Sequence, residues 1–265
     1  MAAAPKIGRR DATLQCRLAK YGRREWGLIS VLAVGLCAAL AVLAWRRGWP
    51  WALPIVPVAA LWGWVLWFFR DPDRAGPQEE GLLLSPADGR VTDVTEVGPD
   101  SPLGTDGVQV GIFMSIFDVH VNRSPCDGQV RGIAHHDGTF LDARDPRAWE
   151  HNEAATITMT HNAGGRERTV VIRQVAGLIA RRIVTDLAEG QTVRRGQRIG
   201  MIKFGSRVEL LVPAELVGEV RVGVGDRALG GQTVLIAAPK ESDDAAGSES
   251  QTRAGGKAAQ GADDP

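Results

Sequence analysis

The chain has 265 residues, with 31 basic and 31 acidic side chains and 14 prolines, enough for one substantial domain with appendages. Zero net charge hides segregation: residues 1–25 hold seven Lys/Arg against Asp11 and Glu25, residues 241–265 hold six acids against Arg253 and Lys257, and the middle is close to neutral. A neutral main domain argues against a nucleic-acid footprint, and three scattered cysteines, Cys16, Cys37 and Cys126, argue against a disulfide scaffold or a metal site.

After the basic tail, 1–25, residues 27–45 run for 19 positions without a charge, and a helix of that length spans about 30 Å, the thickness of a bilayer core. A second apolar run, Trp49 to Phe69, follows the polar break at 46–48 and carries Pro54 and Pro57 near its start. Both a full crossing and a re-entrant segment fit that run. Seven of the eight tryptophans lie between Trp26 and Trp67, mostly near the ends of the two runs, as interfacial anchors do. Residues 26–69 therefore predict a membrane-anchoring helical hairpin. Because the basic start stays on the cytoplasmic side, everything after Arg70 returns there, and the main domain is expected on the cytoplasmic face of the cell membrane.

Residues 70–80 read as a polar linker. From Gly81 to about Lys240, short runs rich in Val, Ile and Thr alternate with Gly, Asp-Gly and Pro turns, which predicts a mainly β domain with short helical pieces around 140–153 and 213–217. Two internal echoes stand out: "SPADGRV" (85–91) against "SPCDGQV" (124–130), and "GQTVRRGQRI" (190–199) against "GDRALGGQTV" (225–234). Together they favour a compact β-sandwich or barrel-sandwich built of related halves, similar to hammerhead folds. Residues 241–265 have no apolar periodicity and read as a disordered acidic tail.

Within "MIKFGSRVELLVP" (201–213) a Gly205-Ser206 pair interrupts a strand pattern. It reads as a β-bulge or as a site where the Ser206 hydroxyl attacks its own preceding carbonyl, which needs a base and an oxyanion donor. The stretch "SIFDVHVNRSPCDG" (115–128) offers candidates. As a strand it would put Asp118, His120 and Asn122 on one face, with Arg123 next to them, and histidine is the side chain that exchanges protons near neutral pH. Asp88 in "SPADG" reads equally as a turn aspartate or an acid of the site.

The series "SPADG" (85–89), "FDVHVNRSP" (117–125), "HNEA" (151–154) and "KFGSRVEL" (203–210) resembles the phosphatidylserine decarboxylase family in its shorter bacterial and archaeal form, over roughly residues 60–237. The resemblance implies a proenzyme cleaved between Gly205 and Ser206 into a β chain, 1–205, and a 60-residue α chain. Ser206 would become a covalent pyruvoyl cofactor that condenses with the substrate amine as a Schiff base, giving phosphatidylethanolamine and carbon dioxide. Asp88 then matches the aspartate of the self-cleavage triad, and His120 the histidine associated with decarboxylation. Arg123 stands where longer relatives have a second histidine, which leaves the base for self-cleavage open. Arg207 and Lys203 flank the cleavage point and read either as partners for phosphate or carboxylate or as solvated strand charges. The implied partners are a phosphatidylserine substrate, the membrane and the two chains of one proenzyme, with homo-oligomerisation left open. The reading from another class is a membrane-anchored hammerhead adaptor or lysine-linked carrier without catalysis, for which a single unbroken chain would be the sign.

Overall fold

A computed structural model describes residues 16–138, 151–163, 165–177, 182–203 and 205–239. The expected tails and the helical piece expected at 140–153 lie wholly or largely outside these residues, whereas the short helix near 213–217 is present as Ala214–Leu216.

The described chain is mainly β, with an apolar helical pair at its N-terminal end. Eight antiparallel strands form one curled sheet in the order Thr192–Val193, Gly128–His136, Ala154–Ala163, Arg166–Val175, Ser206–Pro213, Gly107–Met114, Gly89–Val97, Arg227–Ala228. Ser206–Pro213 is central and buried at all but one position, which explains its near-continuous apolar sequence.

The echoes prove to be structural equivalents. The Ser85 hydroxyl donates to the Ala87 carbonyl at 2.6 Å and the Ser124 hydroxyl to the Cys126 carbonyl at 2.7 Å. Gly231 N–H donates to Ser85 O at 2.7 Å, Gly196 N–H to Ser124 O at 2.8 Å, and Gly225 and Gly190 donate to Val91 and Val130, each at 2.8 Å. All four of these glycines adopt positive φ, which other residues reach only with strain. Both halves also carry a register shift at the same place, Val91/Asp93 and Val130/Gly132. Pairing Val91 with Ile112 and Ile112 with Val208 in one half mirrors Val130 with Met159 and Met159 with Val170 in the other. Since Leu210 faces Ile172 across the centre, a pseudo-twofold axis passes between these two strands.

Helix α1, Arg23–Arg47, and helix α2, Ile55–Phe68, form the hairpin. Pro54 caps α2 and Pro57 lies in its first turn, where a missing N–H costs no helical bond. The Trp62 indole donates to Ser30 Oγ across the pair at 2.9 Å. Strands Cys16–Leu18 and Arg70–Pro72 pair at its foot, and Ala19 N–H donates to Phe69 O at 2.7 Å. Both ends of the hairpin thus return to the β domain. Ala19, Val65, Phe68 and Phe69 pack there on Val119, Val121 and Met201, while Leu28, Val31, Leu32, Val42 and Leu61 higher up remain exposed.

Ile172, fully buried beside the pseudo-axis, contributes to both halves. Ile172→Ala is expected to destabilise the detergent-solubilised protein by about 2–5 kcal/mol in a chemical unfolding titration; a loss below about 1 kcal/mol would contradict this packing.

Candidate active site

A small antiparallel sheet, Ile183–Thr185, Arg198–Ile202 and Val121–Arg123, brings the motifs together. Met201 pairs with Val121, so the chain leaving residue 202 runs beside the chain arriving at residue 121. His120 therefore meets Gly205, whose N–H donates to His120 Nε2 at 3.3 Å. The other ring nitrogen, Nδ1, lies 3.0 Å from the Asp118 carbonyl, an acceptor, so the proton is assigned to Nδ1 and the lone pair to Nε2. The ring is fully buried, with the Phe68 ring at 4.5 Å. Burial pushes its pKa from 6.5 down to about 4, against weaker opposing pulls from Asp118 and Asp88. At neutral pH the imidazole is uncharged.

Gly205 has φ +60°, and a side chain built on it would meet nothing within 4 Å. Ser206 begins the central strand opposite Met114. Its hydroxyl is buried and has no hydrogen-bond partner among the described residues, a state that costs about 1–3 kcal/mol. Under the pseudo-symmetry its mate is Arg168, in the strand that begins after a tight hairpin. At Ser206 the chain instead enters from the small sheet, so this is where the halves differ.

Asp88 is buried in a fork from Arg74: both guanidinium ends contact it, Nη2 at 2.7 Å from Oδ2, and Gly230 N–H adds a bond at 2.8 Å. Arg74 belongs to "RDPDR", residues 70–74 of the expected polar linker, and this segment forms a charged clasp. Asp71 pairs with Arg123 at 3.1 Å and Arg198 at 2.6 Å, and Asp73 with Arg198 at 2.7 Å. Every charge in the segment has a fixed partner because the hairpin returns the chain against the domain edge.

The expected polar face of Asp118, His120 and Asn122 is not a continuous strand, since pairing begins only at Val121. Residues 115–118 form a turn in which Asp118 accepts from Ser115 N–H at 2.9 Å and its hydroxyl at 2.6 Å, and Arg227 binds the other oxygen at 2.9 Å. Asp118 serves His120 through its backbone carbonyl. Asn122 is fully buried; it accepts from Gln174 at 2.7 Å and rests its amide N–H on the Met114 sulfur at 3.6 Å, a weak acceptor. Arg123 is a clamp, bonding Asp71, the Pro72 carbonyl at 2.8 Å and the Gly196 carbonyl at 3.0 Å. Neither flanking charge is solvated as the sequence allowed: Lys203 pairs with Glu25 of α1, and Arg207 with Asp93 at 2.6 Å and Glu209 at 2.8 Å. Asn152 of "HNEA" donates to the Ala176 carbonyl at 2.8 Å and so bridges two chain segments. Arg74, Phe68 and Gln174 were not singled out from sequence; for Arg74 the alternating charges of "RDPDR" were the available signal.

The family model described as phosphatidylserine decarboxylase matches residues 61–236. The chain belongs to the phosphatidylserine decarboxylase family. A phosphatidylserine decarboxylase proenzyme of Symbiobacterium thermophilum is 47% identical over 207 residues, 78% of this chain and 93% of that protein. Proteins of the same description from Nitrosomonas eutropha and Oleidesulfovibrio alaskensis are 41% and 44% identical, over 80% and 77% of this chain and 93% and 90% of theirs. Membership in this family supports decarboxylation of phosphatidylserine and sets the adaptor reading aside.

Two outcomes follow from the geometry. The unfolded chain binds a proton at His120 below pH 6.5 and the folded chain only near pH 4, so stability falls as pH drops through this window, by roughly 3 kcal/mol in total from this group. His120→Gln should flatten that part of the stability profile; an unchanged slope would show that the ring is not buried neutral. Arg74→Ala strands the Asp88 charge and should cost about 3–5 kcal/mol, read by chemical unfolding, whereas a cost under about 1 kcal/mol would mean that the pair is solvated.

Proposed function

We propose that this chain is a membrane-anchored, self-processing phosphatidylserine decarboxylase whose pyruvoyl group is formed from Ser206. The observation that carries this reading is the buried Ser206 hydroxyl, without a hydrogen-bond partner among the described residues, behind a left-handed Gly205 whose N–H rests on a neutral imidazole. An orphaned buried hydroxyl calls for an explanation such as chemistry, and the absent Cβ at position 205 leaves the carbonyl approachable.

In self-processing, Ser206 Oγ bonds to the Gly205 carbonyl carbon and its proton passes to a base, for which His120 Nε2 is the assigned group. The Gly205–Ser206 C–N bond breaks to give an ester and a free amine. Loss of the Ser206 Cα proton then expels the Gly205 carboxylate from Cβ, and water replaces ammonia on the dehydroalanine that remains. Asp88, held by Arg74 and Gly230, acts on His120 through its charge, which favours the imidazolium formed when the ring takes up a proton. Asn122, with its N–H on a thioether across from Ser206, is the donor assigned to the oxyanion.

A pyruvoyl group at position 206 supplies an electron sink for the pair left behind as carbon dioxide departs. His120 is assigned to return a proton to the substrate carbon, and Phe68 and the hairpin foot exclude water from it. Two helices long and apolar enough to cross a bilayer support a membrane site for a diacyl lipid substrate. Arg17, Lys20, Arg23 and Arg24 at the foot against Arg46 and Arg47 at the tip favour the cytoplasmic face for the β domain.

The test uses phosphatidylserine labelled in the serine carboxylate. The purified protein should release labelled carbon dioxide and leave phosphatidylethanolamine. Ser206→Ala and Asp88→Ala should remain single full-length chains without activity; efficient cleavage of Ser206→Ala would defeat the self-processing scheme.

A further inference from the structure

Gln174 has no part in the chemistry above, yet it is a polar side chain fully buried on the core side of the main sheet, with Ile172 and Ala176, also fully buried, on either side of it along the chain. It pairs with Val208, two residues after Ser206, and Ser206 pairs with Met114. Paired and alternate residues of a sheet share a face, so Gln174, Ser206 and Met114 lie on the same one. A carboxamide buried there costs free energy unless both of its ends are bonded. Both are: Oε1 accepts from the Thr185 hydroxyl at 3.2 Å, and Nε2 donates to Asn122 Oδ1 at 2.7 Å. Thr185 and Asn122 belong to the small sheet, where they pair with Gly200 from opposite sides. The glycine has no side chain, and the Gln174 amide links the two side chains that flank it.

This relay has a fixed sense. A hydroxyl can donate or accept and a carboxamide can be turned end for end, but a thioether sulfur only accepts. The Met114 sulfur, 3.6 Å from Asn122 Nδ2, therefore takes an N–H. Asn122 Oδ1 then faces Gln174 Nε2, and Gln174 Oε1 is left for the Thr185 hydroxyl. With Gln174 turned the other way, its oxygen would draw the Asn122 N–H back and leave the Asn122 oxygen against the sulfur. Met114 stands opposite Ser206, and a thioether is a weak acceptor, so the N–H that rests on it can move to a stronger one at little cost.

The geometry points to Gln174 as the positioning residue of self-processing: by holding Asn122 Oδ1 it turns an Asn122 N–H toward Ser206, ready for the oxyanion that forms on the Gly205 carbonyl. Thr185 does the same for Gln174 one step further out. The inference rests on the self-processing reading and deepens it. A donor already aimed at the site needs no reorganisation when charge appears there, whereas a loose carboxamide presents its oxygen as readily as its nitrogen.

The full-length chain is synthesised cell-free into lipid nanodiscs, and cleavage is timed after a labelling pulse by the appearance of the two chains. Asn122→Ala should slow cleavage by about 100- to 1,000-fold, and Gln174→Met, of similar volume, by about 10- to 100-fold. Because Gln174 acts through Asn122, the double variant should cleave no more slowly than Asn122→Ala alone. Losses that multiply would mean that Gln174 only supports the core and would overturn the inference, as would a wild-type rate for Gln174→Met. Gln174→Glu separates orientation from packing: protonated, its carboxyl O–H donates to Asn122 as the amide does; ionised, it draws the Asn122 N–H back. In mild acid, where His120 is still neutral, this variant should outpace Gln174→Met and then slow as pH rises; no advantage at any pH would contradict the assignment. If Gln174→Met fails to fold, Thr185→Val, which keeps both amides, carries the test: it should slow cleavage by about 2- to 10-fold and have no effect once Asn122 is Ala, whereas the same slowing in both backgrounds would overturn the inference. A wild-type chain that never cleaves would instead sink the self-processing reading itself.

Discussion

A buried neutral imidazole has one lone pair to offer, and in this chain His120 offers it to the backbone N–H of Gly205. That contact depends on nearly everything around it. The Asp118 carbonyl fixes the tautomer, Phe68 removes water, and the small sheet sets the register that brings residues 120 and 205 alongside. A charged ring would not tolerate this burial, and a differently paired strand would not reach Gly205. The proposed chemistry uses the same features, since a ring kept neutral can take up a proton from the Ser206 hydroxyl, which has no hydrogen-bond partner among the described residues.

The hairpin foot belongs to the site as much as to the helical pair. Phe68 ends α2, Glu25 at the start of α1 pairs with Lys203 two residues before Gly205, and "RDPDR" carries the chain from α2 through four ion-paired or carbonyl-bonded charges to the fork on Asp88. Ion pairs like these, buried at Asp88 and Asp71 and part-exposed at Asp73 and Glu25, add little net stability. What they impose here is position, because the charges interlock, Asp71 with Arg123 and Arg198, Asp73 with Arg198 and Arg74 with Asp88, and a shifted clasp would leave several unpaired. Through Arg74 the placement of Asp88 is tied to the docked hairpin.

Much of this was legible in the sequence. The paired echoes around Ser85 and Ser124 marked two related halves because turns built on Gly, Asp and Ser have local rules, and those halves share hydrogen bonds down to the same register shift. The hairpin was legible from unbroken apolar length. The Asp118 to Asn122 stretch was misjudged as one strand face, since a Ser115–Asp118 side-chain turn competes with pairing and alternation alone does not reveal it. Arg74, Phe68 and the partners of Lys203 and Arg207 escaped because their meaning lies in contacts between distant segments, which spacing along the chain does not encode.

The central claim, that Ser206 is converted and not merely buried, is tested most directly by the intact mass of the purified wild-type protein. The account predicts two chains separated after Gly205, the smaller one lighter by one ammonia than the same peptide beginning with serine. A single unmodified chain of full length would contradict it and would leave Gly205 and Ser206 as a kink at the start of a strand.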